Sequence, residues 1–166
     1  MGNVPIPANK DGHIAHPTAG LHTPTGPFWV QARDGAIVRA GWGDAPLTTN
    51  DPTLRLALSE IAAYFAGTFT RFSVPLRPDV SIFQDQFHHA LIAIPFGETR
   101  TYGQLAKHLH TPAQAIGQAC GANPIPLLIP CHRVLGATSL GGYSGAGGVE
   151  TKVALLRHEG AGSLLL

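Results

Sequence analysis

Cysteine is scarce in this sequence, and its scarcity excludes several kinds of protein. Only two cysteines occur in 166 residues, too few for the disulfide framework of a small secreted domain. They do not form a Cys-x-x-Cys pair, so they do not indicate a zinc site. Free thiols suit a reducing compartment, and we expect the protein in the cytoplasm.

Long hydrophobic runs and an excess of charge are also missing. No apolar stretch reaches the roughly 20 residues of a membrane span, and the N-terminus lacks a signal-peptide pattern, so we expect no membrane partner. The formal net charge of +1 is too small to indicate polyanion binding by bulk electrostatics. The histidine pairs His88/His89 and His108/His110 lack acids at ligand spacing, so we expect neither a metal nor a cofactor.

The first half of the chain carries signals for a small α+β unit. Residues 1–21 are rich in proline and glycine and predict a flexible leader. Asp34-Gly35 separates two apolar runs, which predicts a β-hairpin with a tight turn. Asp51-Pro52 predicts the start of a helix that ends at Gly67, and residues 72–76 predict a short strand.

The second half predicts helices separated by tight turns. A helix after Ser81 has Phe83, Phe87 and Leu91 on its buried face. Thr101-Tyr102-Gly103-Gln104 is typical of a capping box, and Thr111-Pro112 predicts the N-cap and first turn of a further helix. Two short helices in this arrangement indicate a helix-turn-helix. The second of them has no Lys or Arg, so spacing alone fits a core helix as well as a DNA reader.

The pentapeptide Pro130-Cys131-His132-Arg133-Val134 carries the strongest chemical signal, and it follows a strand-like apolar run at 125–129. Only the thiolate is a good nucleophile, and a cysteine with a pKa of about 8.5 needs a base or cation nearby. Adjacent side chains of an extended segment point to opposite faces, so a bridging water would have to connect Cys131 to His132. From these residues alone, the favoured interpretation is that Cys131 is a small buried packing residue and His132 a turn residue.

Three further segments give the motif its context: Asn123-Pro124, then Gly142-Tyr143-Ser144-Gly145, then residues 155–160 with the sequence Leu-Leu-Arg-His-Glu-Gly. Taken in this order, with the pentapeptide between the first two, they resemble the O6-alkylguanine-DNA alkyltransferases. These proteins move an alkyl group from damaged guanine to their own cysteine in a single turnover. The resemblance runs from about Thr23 to the C-terminus.

The resemblance implies the fold and the partner. We expect an α+β protein with a small sheet-plus-helix, ribonuclease H-like domain at 22–78, followed by a mostly helical domain at 79–166 that contains the helix-turn-helix. We expect a monomer that binds DNA carrying O6-alkylguanine and repairs it by stoichiometric alkyl transfer to Cys131, with O4-alkylthymine as a further substrate.

The resemblance also implies roles for individual residues. Cys131 is the nucleophile, His132 the base acting through water, and Glu159 its orienting acid, with a thiolate pKa expected below about 8.5. Tyr102 acts on the purine or its phosphate, and Asn123 ties two segments of the site together. Five residues are expected to contact DNA: Ala113, Gln114, Ala115, Gly103 and Thr111. Five are expected to line the base pocket: Pro126, Val134, Tyr143, Ser144 and Cys120.

The chain departs from the family at several positions. The family commonly has Ala-Arg-Ala-Val-Gly in the recognition helix, and its arginine fills the space of the flipped base; here Gln114 takes that place. Glutamine lacks the planar cation, which puts duplex recognition in doubt. The loop at 136–149 has altered spacing, and Cys120 is interpreted as packing. The alternatives are a divergent member with a changed substrate and a damage sensor, although sensors of this type lack the cysteine.

Overall fold

The structure is a computed structural model that describes residues 16–143 and 147–161. The described chain divides between Asp79 and Val80 into two compact units. The first contains a three-stranded sheet and one helix, and the second contains four helices and a two-stranded parallel ladder. The α+β fold predicted from the sequence, with the helices concentrated in the second unit, is confirmed.

The sheet of the first unit is an antiparallel meander of β1 (Thr18–Thr23), β2 (Gly26–Arg33) and β3 (Ala36–Trp42). Asp34 and Gly35 have φ angles of 49° and 76°, the left-handed conformations that a two-residue hairpin turn requires, so the predicted hairpin is confirmed.

The first strand begins inside the predicted leader. Residues 18–21 pair with β2, and Ala19 is fully buried, so backbone hydrogen bonds and apolar burial order this part of the Pro/Gly-rich segment. The expectation of a flexible arm is therefore wrong for residues 18–21. Residues 1–15 lie outside the described part of the chain.

Helix α1 (Pro52–Phe65) follows the predicted signals. The Asp51 side chain accepts a hydrogen bond from the Leu54 N–H at 2.9 Å, and Pro52 occupies the first turn. Gly67 beyond the C-cap has φ of 79°. The helix packs on the sheet through a stripe of buried side chains: Leu54, Ala57, Ile61 and Tyr64.

The strand predicted at 72–76 does not form, and only Leu76 makes a bridge, to Ile37. The Glu60 carboxylate accepts hydrogen bonds from the Ser73 N–H at 3.0 Å and the Val74 N–H at 2.9 Å. Pro75 has no N–H to give to a ladder. A buried side chain of α1 therefore satisfies the backbone that the sequence pattern assigned to a strand.

The second unit contains α2 (Ile82–Ile92), α3 (Tyr102–His108), α4 (Ala113–Gly121) and α5 (Val149–Glu159). Short strands β4 (Arg100–Thr101) and β5 (Val134–Leu135) pair in parallel. The capping box of Thr101 and Gln104 is present as predicted. The N-cap of α4 is Pro112 rather than the predicted Thr111, and no side chain caps this helix, because the chain enters α4 one residue later than the pattern suggested.

The contact between α2 and α4 is polar at its centre. The Gln84 Nε2 donates to the Ala119 carbonyl at 2.8 Å and lies 2.9 Å from the His88 Nε2. Phe87 and Leu91 are fully buried on the same helix. Burial lowers the pKa of His88, so its neutral form accepts the Gln84 hydrogen bond. This network fixes the C-terminal part of α4 in the second unit.

Candidate active site

The segment before the cysteine is a compact turn and not the extended strand predicted for residues 125–129. Leu127 has a left-handed φ of 72°, the Leu128 N–H donates to the Pro126 carbonyl, and the Ile129 N–H donates to the Ile125 carbonyl. Local hydrogen bonds therefore replace a sheet partner. Its apolar side chains are still buried, which explains why the run has the composition of a strand.

The nucleophile candidate begins a single 3₁₀ turn, Cys131–Arg133. The prediction that Cys131 and His132 lie on opposite faces of an extended segment is therefore wrong, because the segment is not extended. All three residues of the turn are buried, and Cys131 is 5% exposed.

Asn123 joins the end of α4 to this segment. Its Nδ2 donates to the Ile129 carbonyl at 2.9 Å, and its Oδ1 accepts from the Ile125 N–H at 3.0 Å. Burial raises the pKa of Cys131, and a hydrogen bond from Asn123 offsets part of that effect. The side chain lies where the sequence analysis expected a tie between two segments of the site.

A buried His–Glu–Arg cluster adjoins the cysteine. The His132 Nε2 lies 2.7 Å from one Glu159 carboxylate oxygen, and the Arg133 Nε donates to the other at 2.8 Å. The Arg133 guanidinium also donates to the Ile94 carbonyl at 2.7 Å. Burial alone would raise the pKa of Glu159, but the hydrogen bonds from His132 and Arg133, with the Arg133 charge, lower it to about 2. Glu159 is therefore ionised.

The His132 imidazole is neutral in this cluster. Burial lowers its pKa, and the hydrogen bond to Glu159 offsets that effect only in part. Because an ionised carboxylate only accepts, the neutral ring donates from Nε2 and carries its lone pair on Nδ1. The Nδ1 atom is buried and has no hydrogen-bond partner among the described residues. His132 is thus arranged as a proton acceptor.

The Cys131 thiol opens on a cavity of about 360 Å³. Small side chains and two tyrosines form its wall, and the lining residues are Tyr102, Gly117, Cys120, Gly121, Cys131, Gly142 and Tyr143. The concave shape, the small residues and the adjacent phenols suit a planar, partly polar ligand.

Both thiols at this cavity are protonated at rest. Burial raises the pKa of Cys131, although Asn123 and Lys152 act in the opposite direction. Burial, with the Cys131 charge, raises the pKa of Cys120 to about 12. The sequence-based expectation of a Cys131 pKa below the free value is therefore wrong in direction, because removal of the thiolate from water outweighs its favourable neighbours.

The predicted pocket residues are only partly brought together. Tyr143 and Cys120 line the cavity, whereas Pro126 and Val134 are not among its lining residues. Val134 is fully buried at the start of β5, where it pairs with Arg100. Ser144 lies outside the described residues.

The predicted DNA-contact residues lie on α3, on α4 and in the turn between them. Gly103, Ala113 and Gln114 are exposed, and Ala115 and Thr111 are half-buried. Gln114 is the second residue of α4, and Gly117 on the same helix lines the cavity. The predicted contact surface and the cavity therefore share one helix.

Sequence reasoning missed Lys152. This lysine of α5 is fully buried, and its Nζ donates to the Val134 carbonyl at 2.6 Å and to the Gly142 carbonyl at 2.9 Å. Lys152 lies three residues before Leu155 and seven before Glu159, on the buried face of α5. This helical spacing is a signal from which its burial could have been predicted.

The described residues contain no group of three or more His, Cys, Asp and Glu side chains that could hold a metal ion. Across the same residues, none of the helices has both the length and the apolar character needed to cross a membrane.

A thiol that faces a cavity, with a buried His–Glu pair next to it, is the arrangement of a protein with a cysteine nucleophile. Two family models match the chain: "6-O-methylguanine DNA methyltransferase, DNA binding domain" at residues 82–161, and "6-O-methylguanine DNA methyltransferase, ribonuclease-like domain" at residues 19–78. The chain belongs to the family of the methylated-DNA–protein-cysteine methyltransferases.

Individual relatives agree with this assignment. The methylated-DNA–protein-cysteine methyltransferase of Methanosarcina acetivorans is 44% identical over 115 residues, which are 68% of this chain and 72% of that protein. That of Mycolicibacterium paratuberculosis is 43% identical over 124 residues, 73% of this chain and 71% of that protein. The crystal structure of Mycobacterium tuberculosis OGT in complex with DNA has a TM-score of 0.75 and 37% identity, covering 86% of this chain and 92% of that one.

Proposed function

We propose that this protein repairs DNA by transferring the alkyl group of O6-alkylguanine, and of O4-alkylthymine, irreversibly to Cys131. The observation that carries the proposal is the position of the Cys131 thiol, which faces a cavity of about 360 Å³ and is followed directly by a buried His132–Glu159 pair. The Cys131 Sγ attacks the alkyl carbon, an S–C bond forms, the C–O bond to the base breaks, and the electron pair leaves with the base.

The proton of the thiol has a defined destination in this proposal. Since burial keeps Cys131 protonated at rest, deprotonation has to accompany the reaction. The buried Nδ1 of neutral His132 accepts the proton through a bridging water, and the ionised Glu159 stabilises the resulting imidazolium. The Tyr102 phenol at the cavity wall donates to the base as charge develops on it.

DNA docks on the helix-turn-helix in this proposal. The exposed start of α4 carries Ala113 and Gln114, and the same helix lines the cavity through Gly117 and Cys120. Small side chains allow a helix to approach a groove closely, and the target nucleotide then rotates out of the stack into the cavity. We propose that the protein acts as a monomer, and in the cytoplasm, where a free thiol persists.

The damage-sensor alternative is less favoured because the chain keeps a cysteine at the cavity. A sensor would bind the lesion and release it unchanged, whereas a transferase consumes itself. The Gln114 position bears on how duplex DNA is engaged and leaves the thiol chemistry intact.

Stoichiometry tests the proposal. The protein is mixed with an oligonucleotide carrying one O6-methylguanine, and intact protein mass and remaining lesion are followed together. We expect the protein mass to rise by one methyl group, one lesion to be lost per protein, and no further loss when fresh oligonucleotide is added. Binding without a mass change would support a sensor, and continued lesion loss would contradict an irreversible thioether.

A further inference from the structure

Lys152 is a buried cation that the mechanism above does not use. Its side chain is fully buried, and its Nζ donates to two carbonyl oxygens, of Val134 and of Gly142. None of the ion pairs formed by residues 16–143 and 147–161 includes it. Burying an ammonium without a carboxylate is costly, and an apolar side chain of similar length would avoid the cost. Packing alone therefore does not explain a charged side chain at this position.

The two carbonyls place this charge at the wall of the cavity. Val134 follows the turn that contains Cys131, and Gly142 is itself a lining residue. The Nζ also lies 5.9 Å from the centre of the Tyr102 ring, which lines the same cavity. One ammonium group thus connects α5, the segment after the nucleophile and the rim of the cavity.

The titratable groups that face Lys152 come from three elements: Tyr102 of α3, Cys120 of α4, and Cys131 and His132 of the 3₁₀ turn. Burial raises the pKa of both thiols and lowers the pKa of Lys152. The Lys152 charge offsets part of the effect on each thiol, and the thiolate charges offset part of the effect on Lys152. His132 is neutral and Tyr102 keeps its proton, since burial raises the pKa of that phenol. The thiols are the anions that Lys152 can stabilise.

We infer that Lys152 is a positioning residue that holds the rim at Gly142 against Val134 and supplies the buried positive charge for the Cys131 thiolate formed during alkyl transfer. Lys152 keeps its three protons throughout, and the thiol proton passes to His132. When the sulfur becomes a neutral thioether, the ammonium loses its anionic neighbour and keeps only its two carbonyl acceptors. This inference rests on the proposed function, because it assigns the thiolate to Cys131.

Thiol titration tests the inference in a Cys120→Ser background, where Cys131 is the remaining cysteine. The rate at which a haloacetamide modifies Cys131 is measured against pH in the Cys120→Ser parent and in the same protein with Lys152→Met or Lys152→Arg. The midpoint of each curve reports the pKa of the thiol. We expect Lys152→Met to raise the midpoint by about one pH unit, which is about a tenfold loss of thiolate below the midpoint. Lys152→Arg keeps the positive charge, so its midpoint should stay close to that of the Cys120→Ser parent. The matched control is Lys107→Met, which removes an exposed lysine of α3 and should leave the midpoint unchanged.

The reciprocal measurement uses a change that keeps the lysine, in case Lys152→Met does not fold. The lysine side chains are labelled with ¹³C, and the Lys152 titration is followed by NMR in wild-type and Cys131→Ser proteins. Because coupling between two sites is reciprocal, the Lys152 pKa should be lower in Cys131→Ser than in wild type. Unchanged midpoints in folded Lys152→Met, or an unchanged lysine titration in Cys131→Ser, would overturn the inference. Neither readout depends on alkyl transfer, so the proposed function can fail separately, if Cys131→Ser still removes lesions.

Discussion

At the scale of single residues, Glu159 serves two buried partners at once. One oxygen accepts from His132 at 2.7 Å and the other from Arg133 at 2.8 Å, and Arg133 as a residue is only 6% exposed. The carboxylate therefore orients the imidazole and neutralises a buried guanidinium. A substitution of Glu159 should therefore change reactivity through His132 and stability through Arg133.

Glu159→Gln should slow alkyl transfer at least tenfold and destabilise the protein by about 3 kcal/mol. The neutral amide stabilises the imidazolium less well, and it leaves the Arg133 charge buried without a counter-ion. Transfer is measured with free O6-alkylguanine, and stability by urea unfolding. The matched control is Glu98→Gln, whose exposed pair with Arg100 should contribute less than about 1 kcal/mol.

The stability difference should also depend on pH. The pKa of Glu159 is about 2 in the folded protein, below the value of about 4.3 expected in the unfolded chain. Its stabilisation is therefore fully present above the unfolded pKa and is lost as pH falls towards 2. Wild type and Glu159→Gln should converge in stability from about pH 5 to about pH 2. A difference that stays constant over this range would contradict the ionised carboxylate.

Part of this site could be predicted from the sequence. The motif resemblance pointed to Cys131, His132 and Glu159, although 27 residues separate the last two and no spacing rule connects them. The direction of the Cys131 pKa could not be predicted, because the degree of burial depends on tertiary packing. Lys152 was missed because a helical lysine is usually solvated.

At the scale of elements, most turn and cap signals and the first hairpin could be predicted from the sequence, whereas two short strands were predicted wrongly. Asp34-Gly35, Asp51-Pro52 and the Thr101–Gln104 capping box lie where the sequence predicts them, because each depends on neighbours in the chain. The strands predicted at 72–76 and 125–129 do not form. The first gives its N–H groups to a side chain 13 residues earlier, and the second closes on itself around a left-handed leucine.

Helix α4 carries Gln114 at the position where the sequence resemblance implies an arginine. This residue and Gln118, one turn further along, are both exposed. Flipping a base out of a duplex costs a few kcal/mol, and a planar cation that stacks in the vacated space offsets part of that cost. Glutamine offers hydrogen bonds alone.

Gln114→Arg should speed repair of a lesion in duplex DNA and leave the reaction with free O6-alkylguanine unchanged, because the free base needs no flipping. Single-turnover rates on both substrates give the answer. Gln118→Arg is the matched control, since it adds the same charge to the same helix one turn away and should accelerate the duplex reaction less. Equal gains from both variants would indicate general attraction to phosphate. A gain on the free base would indicate that the substitution acts on the cavity.

At the scale of the whole molecule, the function does not rest on bulk charge. A net charge of +1 gives little long-range attraction to DNA, so the proposed DNA recognition depends on local contacts rather than on bulk charge. The family assignment covers both units, and the described reactive groups lie within the second. Both cysteines of the chain line one cavity, so the identity of the alkyl acceptor is the central claim.

Peptide mapping after reaction tests that claim most directly. Wild-type, Cys120→Ser and Cys131→Ser proteins are reacted with an oligonucleotide carrying O6-methylguanine, digested, and analysed by fragmentation mass spectrometry. The account predicts one methyl group on Cys131 in wild type and in Cys120→Ser, and none on Cys131→Ser. A methyl group on Cys120, or transfer that persists in Cys131→Ser, would contradict it.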